Sequence, residues 1–188
     1  RVVWERNPKA GPKGKMPFIE VEGVQVADSS FILSHIAKDE FEILDPIKRS
    51  QAMALKVLIE EGLYFVLLYS RWIDEDGFKV IKRNFSHLFP IGLGSLFLFY
   101  IRHSLHKQGI AQGIARHQKN EVYGVGRDYV STIAALLGDS EYFFEDRLTS
   151  FDATAYAFPS TIMKQPIESP VKEHLLRCSN LVSYVQRL

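Results

Sequence analysis

Two short groups of residues carry the most specific chemistry in this chain: Met16-Pro17 and Asp28-Ser29. Pro17 has no N–H to give to a β-ladder, so it belongs at the first position of a strand or in the turn before it. Phe18, Ile19, Glu20 and Val21 then read as a strand, Glu22-Gly23 as a tight turn, and Val24 to Ala27 as the returning strand. Asp28 or Ser29 caps a helix that runs on through Phe31, Ile32, His35 and Ile36. A helix N-terminus beside a proline turn offers unpaired N–H groups to an anionic ligand. The same residues also serve as a plain turn and cap, so the pattern alone leaves both roles open.

The elements that must position these groups occupy the first fifth of the chain. Residues 1–38 mix short strands, a Pro/Gly/Lys-rich connection over 7–15 and one helix, and residues 39–47, closed by Asp45-Pro46, read as a linker. From 48 to 188 the helical period dominates. Ser50 to Asp74 predicts one long helix with Leu55, Leu58, Ile59, Leu63, Val66 and Leu67 on its apolar positions. Its middle, Leu63 to Tyr69, is apolar all round and calls for burial on more than one face. Tyr129, Ile133, Leu136 and Leu137 form a second stripe, stopped by Gly138. Thr149 and Asp152 have the spacing of a capping box at the start of a helix through Ala157 and Phe158. Ser179 or Asn180 caps a last helix. Leu88 to Ile101 is apolar, but too short for a membrane crossing and broken by Pro90, Gly92 and Gly94. A buried core segment is the expectation there, with a peripheral membrane contact or dimer surface as the alternative.

Composition narrows the partners. The 188 residues suffice for one substantial core or two small ones. The 23 basic and 22 acidic side chains leave a net charge of +1, so nothing favours nucleic acid or an anionic membrane. The one cysteine, Cys178, excludes an intrachain disulfide framework and fits a reducing, cytoplasmic setting. A buried structural role suits it better than catalysis. His103 and His106 stand at i, i+3 without a carboxylate, so no metal site is expected. No apolar signal segment opens the chain. Lacking an initiator Met and starting inside an apparent strand, it is expected to have a natural start further upstream.

Met-Pro, a hairpin, then Asp-Ser opening a helix resembles the second half of the thioredoxin-like domain of glutathione S-transferases. The run Leu63-Tyr64-Phe65-Val66-Leu67-Leu68-Tyr69-Ser70-Arg71-Trp72 resembles the first helix of the failed-axon-connections branch, relatives of the metaxins. Gln108-Gly109-Ile110, Arg116-His117, Leu136 to Asp139, Tyr142-Phe143-Phe144 and the Thr-Ser-x-Asp-Ala-Thr form at Thr149 fit the same branch, as do Ser169-Pro170 and Asn180-Leu181-Val182. The resemblance implies a thioredoxin-like α/β domain, lacking its first strand and helix here, followed by an all-helical domain. It implies that Pro17 is a cis-proline, that the Met16 backbone pairs with the cysteinyl part of glutathione, and that Asp28 and Ser29 hold the γ-glutamyl end. The family usually has Glu or Gln where this chain has the shorter Asp28.

On the same likeness Lys15 meets the glycyl carboxylate, although a solvated loop lysine fits it equally well. Tyr64 and Arg71 line a pocket for an apolar electrophile, or else belong to an interdomain core with a structural ion pair. The catalytic Tyr, Ser or Cys of the family lies at the end of the first strand or the start of the first helix, so no residue of this chain inherits that role. Thr149 and Asp152 are structural. The implied function is glutathione binding with transfer of its thiol to an electrophile, in a cytoplasmic protein that forms dimers. The alternative is a non-catalytic protein-interaction module, as metaxins use this fold in mitochondrial import.

Overall fold

Glu22 and Gly23 both adopt positive φ, 52° and 80°, the combination that lets a two-residue hairpin follow the twist of its strands. They join β1 (Phe18–Val21) to β2 (Val24–Ala27) in an antiparallel ladder, with Phe18 opposite Ala27 and Val21 opposite Val24. Helix α1 (Ser29–Ile36) follows at once, packs on both strands and buries Ile32. The computed structural model describes residues 11–14, 16–36, 45–88, 93–144 and 146–188. Two compact units divide the chain, one ending at Arg49 and the other beginning at Ser50. This is the α/β plus all-α order expected of the sequence.

The second unit is helical throughout its described residues. Helix α2 (Pro46–Val57), a π-type turn (Leu58–Leu63), α3 (Tyr64–Leu68) and a second π-type turn (Tyr69–Ile73) make one unbroken run. It starts earlier than the periodicity indicates. Asp45 accepts from the N–H groups of Ile47 at 2.8 Å and Lys48 at 3.2 Å, and Pro46 takes the first helical position, where its missing N–H costs nothing. Asp45-Pro46 thus opens a helix inside the stretch read as linker.

Then come α4 (Glu75–Phe85), a 3₁₀ turn (Ser86–Leu88), α5 (Leu93–Gln112), another 3₁₀ turn (Ile114–Arg116) and α6 (Lys119–Leu137). Helices α7 (Ser150–Lys164), α8 (Pro170–Arg177) and α9 (Ser179–Arg187) complete the unit. Ile59, Leu63 and Val66 of the long run, Val130 and Ile133 of α6, Ile162 of α7 and Leu175 of α8 are all fully buried, and the elements that carry them pack on one another. Burial of aliphatic side chains on this scale is the main stabilising term of the unit.

Two expectations are corrected. Cys178, not Ser179 or Asn180, takes the cap position of α9; Asn180 Oδ1 accepts from the Leu181 N–H of that helix at 2.9 Å, while its amide nitrogen donates to the carbonyls of Ala134 at 2.8 Å and Gly138 at 2.9 Å, closing the C-terminal end of α6. The first turns of α5 are not core, while Pro90 and Gly92 lie outside the described residues. Leu93, Leu96, Phe97, Phe99 and Tyr100 are exposed, and over these turns only Gly94 and Leu98 are buried. A helix one face wide against its neighbours leaves the rest of an all-round apolar surface uncovered.

Candidate functional site

The hairpin register brings the first two groups together. The ladder ends with Phe18 opposite Ala27, so Pro17 and Asp28 follow directly at the same end of the hairpin, with Met16 and Ser29 one residue further along the chain. The Asp28 N–H reaches the Pro17 carbonyl at 3.4 Å, and the Met16–Pro17 peptide is cis. Asp28 caps α1: its Oδ1 accepts from the Ser30 N–H at 3.0 Å and its carbonyl from Ile32 N–H at 2.9 Å. It does so at φ 84°, in the left-handed region that Asp tolerates better than most residues. Met16, Pro17, Asp28 and Ser29 are all exposed, and Ser29 makes no side-chain hydrogen bond among the described residues. Lys15 lies outside the described residues. Among the described residues the result is a strand end, a carboxylate with unused acceptor sites, an unbonded hydroxyl and the start of a helix within one short span.

In the second unit the long helical run carries Tyr64 and Arg71 to a common cleft of 340 Å³, walled by Leu67, Leu68, Leu105 and Phe158. The π-type turn from Tyr69 to Ile73, closed by Asp74 N–H on the Tyr69 carbonyl at 2.9 Å, is the kind of local widening that often marks a functional position. Arg102 supports its end, donating from Nε to the Trp72 carbonyl at 2.9 Å and from Nη2 to that of Ile73 at 2.8 Å. Gly77 lets α4 pass the turn: a Cβ there would sit 1.7 Å from the Ser70 carbonyl oxygen. Arg71 makes no ion pair among the described residues, contrary to the structural alternative, and instead donates from Nε to Gln165 Oε1 at 3.0 Å. Burial pulls its guanidinium below the usual value, with the Tyr64 phenol acting the other way.

Gln165 escaped the sequence reading because it lies far from Arg71 in the chain and belongs to no motif. So did the cluster around Asp74, which is 4% exposed and caps α4 through the Asp76 N–H at 2.8 Å. Asp74 Oδ2 also accepts from Tyr123 at 2.9 Å and pairs with Lys119 at 2.7 Å. Burial alone would raise the Asp74 carboxyl, but the bonds from Lys119, the Asp76 N–H and Tyr123 outweigh it and hold the group below its ordinary range. The capping-box signal at Gln118 and Glu121, which starts α6, was in the sequence and unread.

Asp152 is fully buried and every acceptor position is used. Oδ1 takes the Phe143 N–H at 3.2 Å and the Tyr184 hydroxyl at 3.0 Å. Oδ2 takes the Thr149 N–H at 2.9 Å and its hydroxyl at 2.7 Å. A carboxylate has about four such sites, so nothing remains for a ligand. His103 and His106 border a shallow cleft with Ile73, Phe99 and Arg102. No group of three metal-binding side chains comes together among the described residues. Cys178 is half-buried, its thiol donates to the His174 carbonyl at 3.5 Å, and burial pushes its pKa up, away from the reactive thiolate. No described helix is long and apolar enough to cross a membrane.

Comparison with known proteins fits this arrangement. Residues 1–77 match the family described as "Glutathione S-transferase N-terminal domain" and residues 126–188 that described as "Glutathione S-transferase, C-terminal domain". The chain belongs to the glutathione S-transferase family, in its failed-axon-connections and metaxin-like branch. It is 27% identical to Failed axon connections of Drosophila melanogaster over 94% of its own length and 46% of that protein's. It is 29% identical to the mitochondrial outer membrane import complex protein METAXIN of Arabidopsis thaliana, over 84% of this chain and 51% of the relative. With the isoprene-epoxide–glutathione S-transferase of Rhodococcus sp. it shares 26% identity, over 94% and 77% respectively. The chain thus spans about half the length of the first two of these relatives.

Proposed function

We propose that this chain binds glutathione at the open end of the β1–β2 hairpin. The cysteinyl segment runs antiparallel to the Met16 backbone, the γ-glutamyl end lies against Asp28 and Ser29, and Lys15 faces the glycyl carboxylate. The observation that supports this reading is the Asp28 N–H on the Pro17 carbonyl at 3.4 Å, which holds the two groups at one end of the hairpin with Met16, Asp28 and Ser29 exposed. A peptide ligand needs both an extended backbone edge and charged-end partners, and here they are neighbours. The cleft bordered by Tyr64 and Arg71 in the helical unit has room for an apolar electrophile; with an epoxide, the glutathione sulfur forms the C–S bond as the ring C–O bond breaks, and the thiol proton ends on the ring oxygen. The name of the Rhodococcus relative, an isoprene-epoxide–glutathione S-transferase, supports thiol addition as the chemistry.

Calorimetric titration of glutathione tests the reading. Wild type should bind, and Ser29→Ala should weaken binding by the worth of one hydrogen bond, about 1 kcal/mol, with the melting midpoint unchanged. Equal affinity in the two proteins would remove Ser29 from the site.

A second reading is favoured by the exposed Leu96, Phe97, Phe99 and Tyr100 of α5 and by the name of the Arabidopsis relative. An apolar surface of this kind suits a protein-interaction module. A folded chain with no glutathione affinity would favour that function.

A further inference from the structure

Beside the cleft of Tyr64, and sharing Arg71 and Trp72 with it, lies a second cavity of 390 Å³ between α4 and the turn that follows α7. Trp72, Ile81 and Phe85 give it apolar walls; Arg71, Asn84 and Gln165 are its polar groups. Each of these three carries N–H donors, and no carboxylate lines the cavity. Arg71 spends its Nε on Gln165 Oε1, leaving the forked Nη end without a protein counter-charge among the described residues. The same bond fixes the orientation of the Gln165 amide, whose Nε2 is buried with no partner. A part-buried guanidinium without an anion is a costly arrangement unless a ligand completes it. Native structures leave few such groups unexplained.

We infer that this cavity binds a small monocarboxylate with an apolar body, aryl or medium-chain alkyl. Its carboxylate meets the Arg71 fork, a planar match that an ammonium would not give, while its body lies on Trp72, Ile81 and Phe85. The volume suits a ligand of that size. The inference does not depend on glutathione binding, because every residue involved belongs to the helical unit.

The test uses the full chain, 4-phenylbutanoate as probe and 4-phenylbutanamide as its uncharged counterpart, titrated by calorimetry at neutral pH. The acid should bind at least tenfold tighter than the amide. Arg71→Met should erase that preference by weakening the acid at least tenfold, and Arg71→Lys should retain part of it. Ile81→Trp, which fills this cavity, should block the acid; Leu105→Trp, which fills the neighbouring cleft, should leave it unchanged. Circular dichroism and melting midpoints establish that each variant is folded, and Ile81→Phe replaces Ile81→Trp if the larger ring unfolds the unit. Absent binding of the acid, equal binding of acid and amide, or unchanged acid affinity in Arg71→Met would overturn the inference. So would loss of the acid in Leu105→Trp with retention in the Ile81 variant.

Discussion

Asp28 and Asp152 both stand at helix starts, and they differ in what else they touch. Asp28 gives one oxygen to the Ser30 N–H, remains exposed, and has a free serine hydroxyl at its side. Asp152 has four donors from three residues and no contact with water. The same side chain in the same local role therefore has two uses. A cap with spare acceptor sites on an open strand end can recognise a ligand; a cap whose sites are all filled holds two helices and a loop together.

The largest effect that would break this contrast is on stability at Asp152. Asp152→Ala strands the Phe143 and Thr149 N–H groups and leaves the Tyr184 hydroxyl only the backbone carbonyl of residue 152, and should cost about 3 kcal/mol, since each orphaned donor costs roughly 1–3 kcal/mol. Denaturant unfolding measures it; a loss below about 1 kcal/mol would show that the network is dispensable. Ligand affinity in whatever remains folded should be unaffected.

Asp74 provides an intermediate case, a buried cap whose stabilisation is tied to charge. Its carboxyl is held below the ordinary value, so the folded state binds that proton less readily than the unfolded state. The stabilisation is present in full above the unfolded carboxylate value of about 4 and is lost as pH falls through the depressed folded value. Urea midpoints between pH 6 and pH 2 should fall less steeply in Asp74→Asn than in wild type. Parallel curves would mean that Asp74 is not a source of the acid sensitivity.

The smallest effect sharpens the other side. Asp28→Asn keeps an oxygen for the Ser30 N–H and a residue type that tolerates positive φ, and removes only the charge. Stability should move by less than about 0.5 kcal/mol, as for other surface changes. Glutathione affinity should drop by about 1 kcal/mol, through loss of a charge-assisted contact to the ligand's ammonium. A change in stability with no change in affinity would make Asp28 a cap and nothing more.

What the sequence disclosed was local. The hairpin, its Glu22-Gly23 turn, the Asp28 cap and the Thr149–Asp152 box were legible because each depends on residues within a few positions of one another. The partners that decide what those caps do were not. Tyr184 reaches Asp152, and Gln165 reaches Arg71, across long stretches of chain, and no spacing rule links them. Asn180 is a related case: an Asn near a helix start signals a cap, and the type of residue does not say that its amide nitrogen also closes the end of another helix. Hydropathy likewise marks Leu88 to Ile101 as apolar without telling whether neighbours cover it. The widened turns before and after α3 reflect hydrogen bonds shifted by one residue, which leaves no mark on apolar periodicity.

The most direct test of the contrast is a glutathione titration followed by backbone amide resonances of the full chain. The account predicts saturable shifts centred on Met16, Ser29 and Ser30, with Thr149 and Asp152 silent. Silence over residues 16–30, or shifts centred on the start of α7, would contradict it.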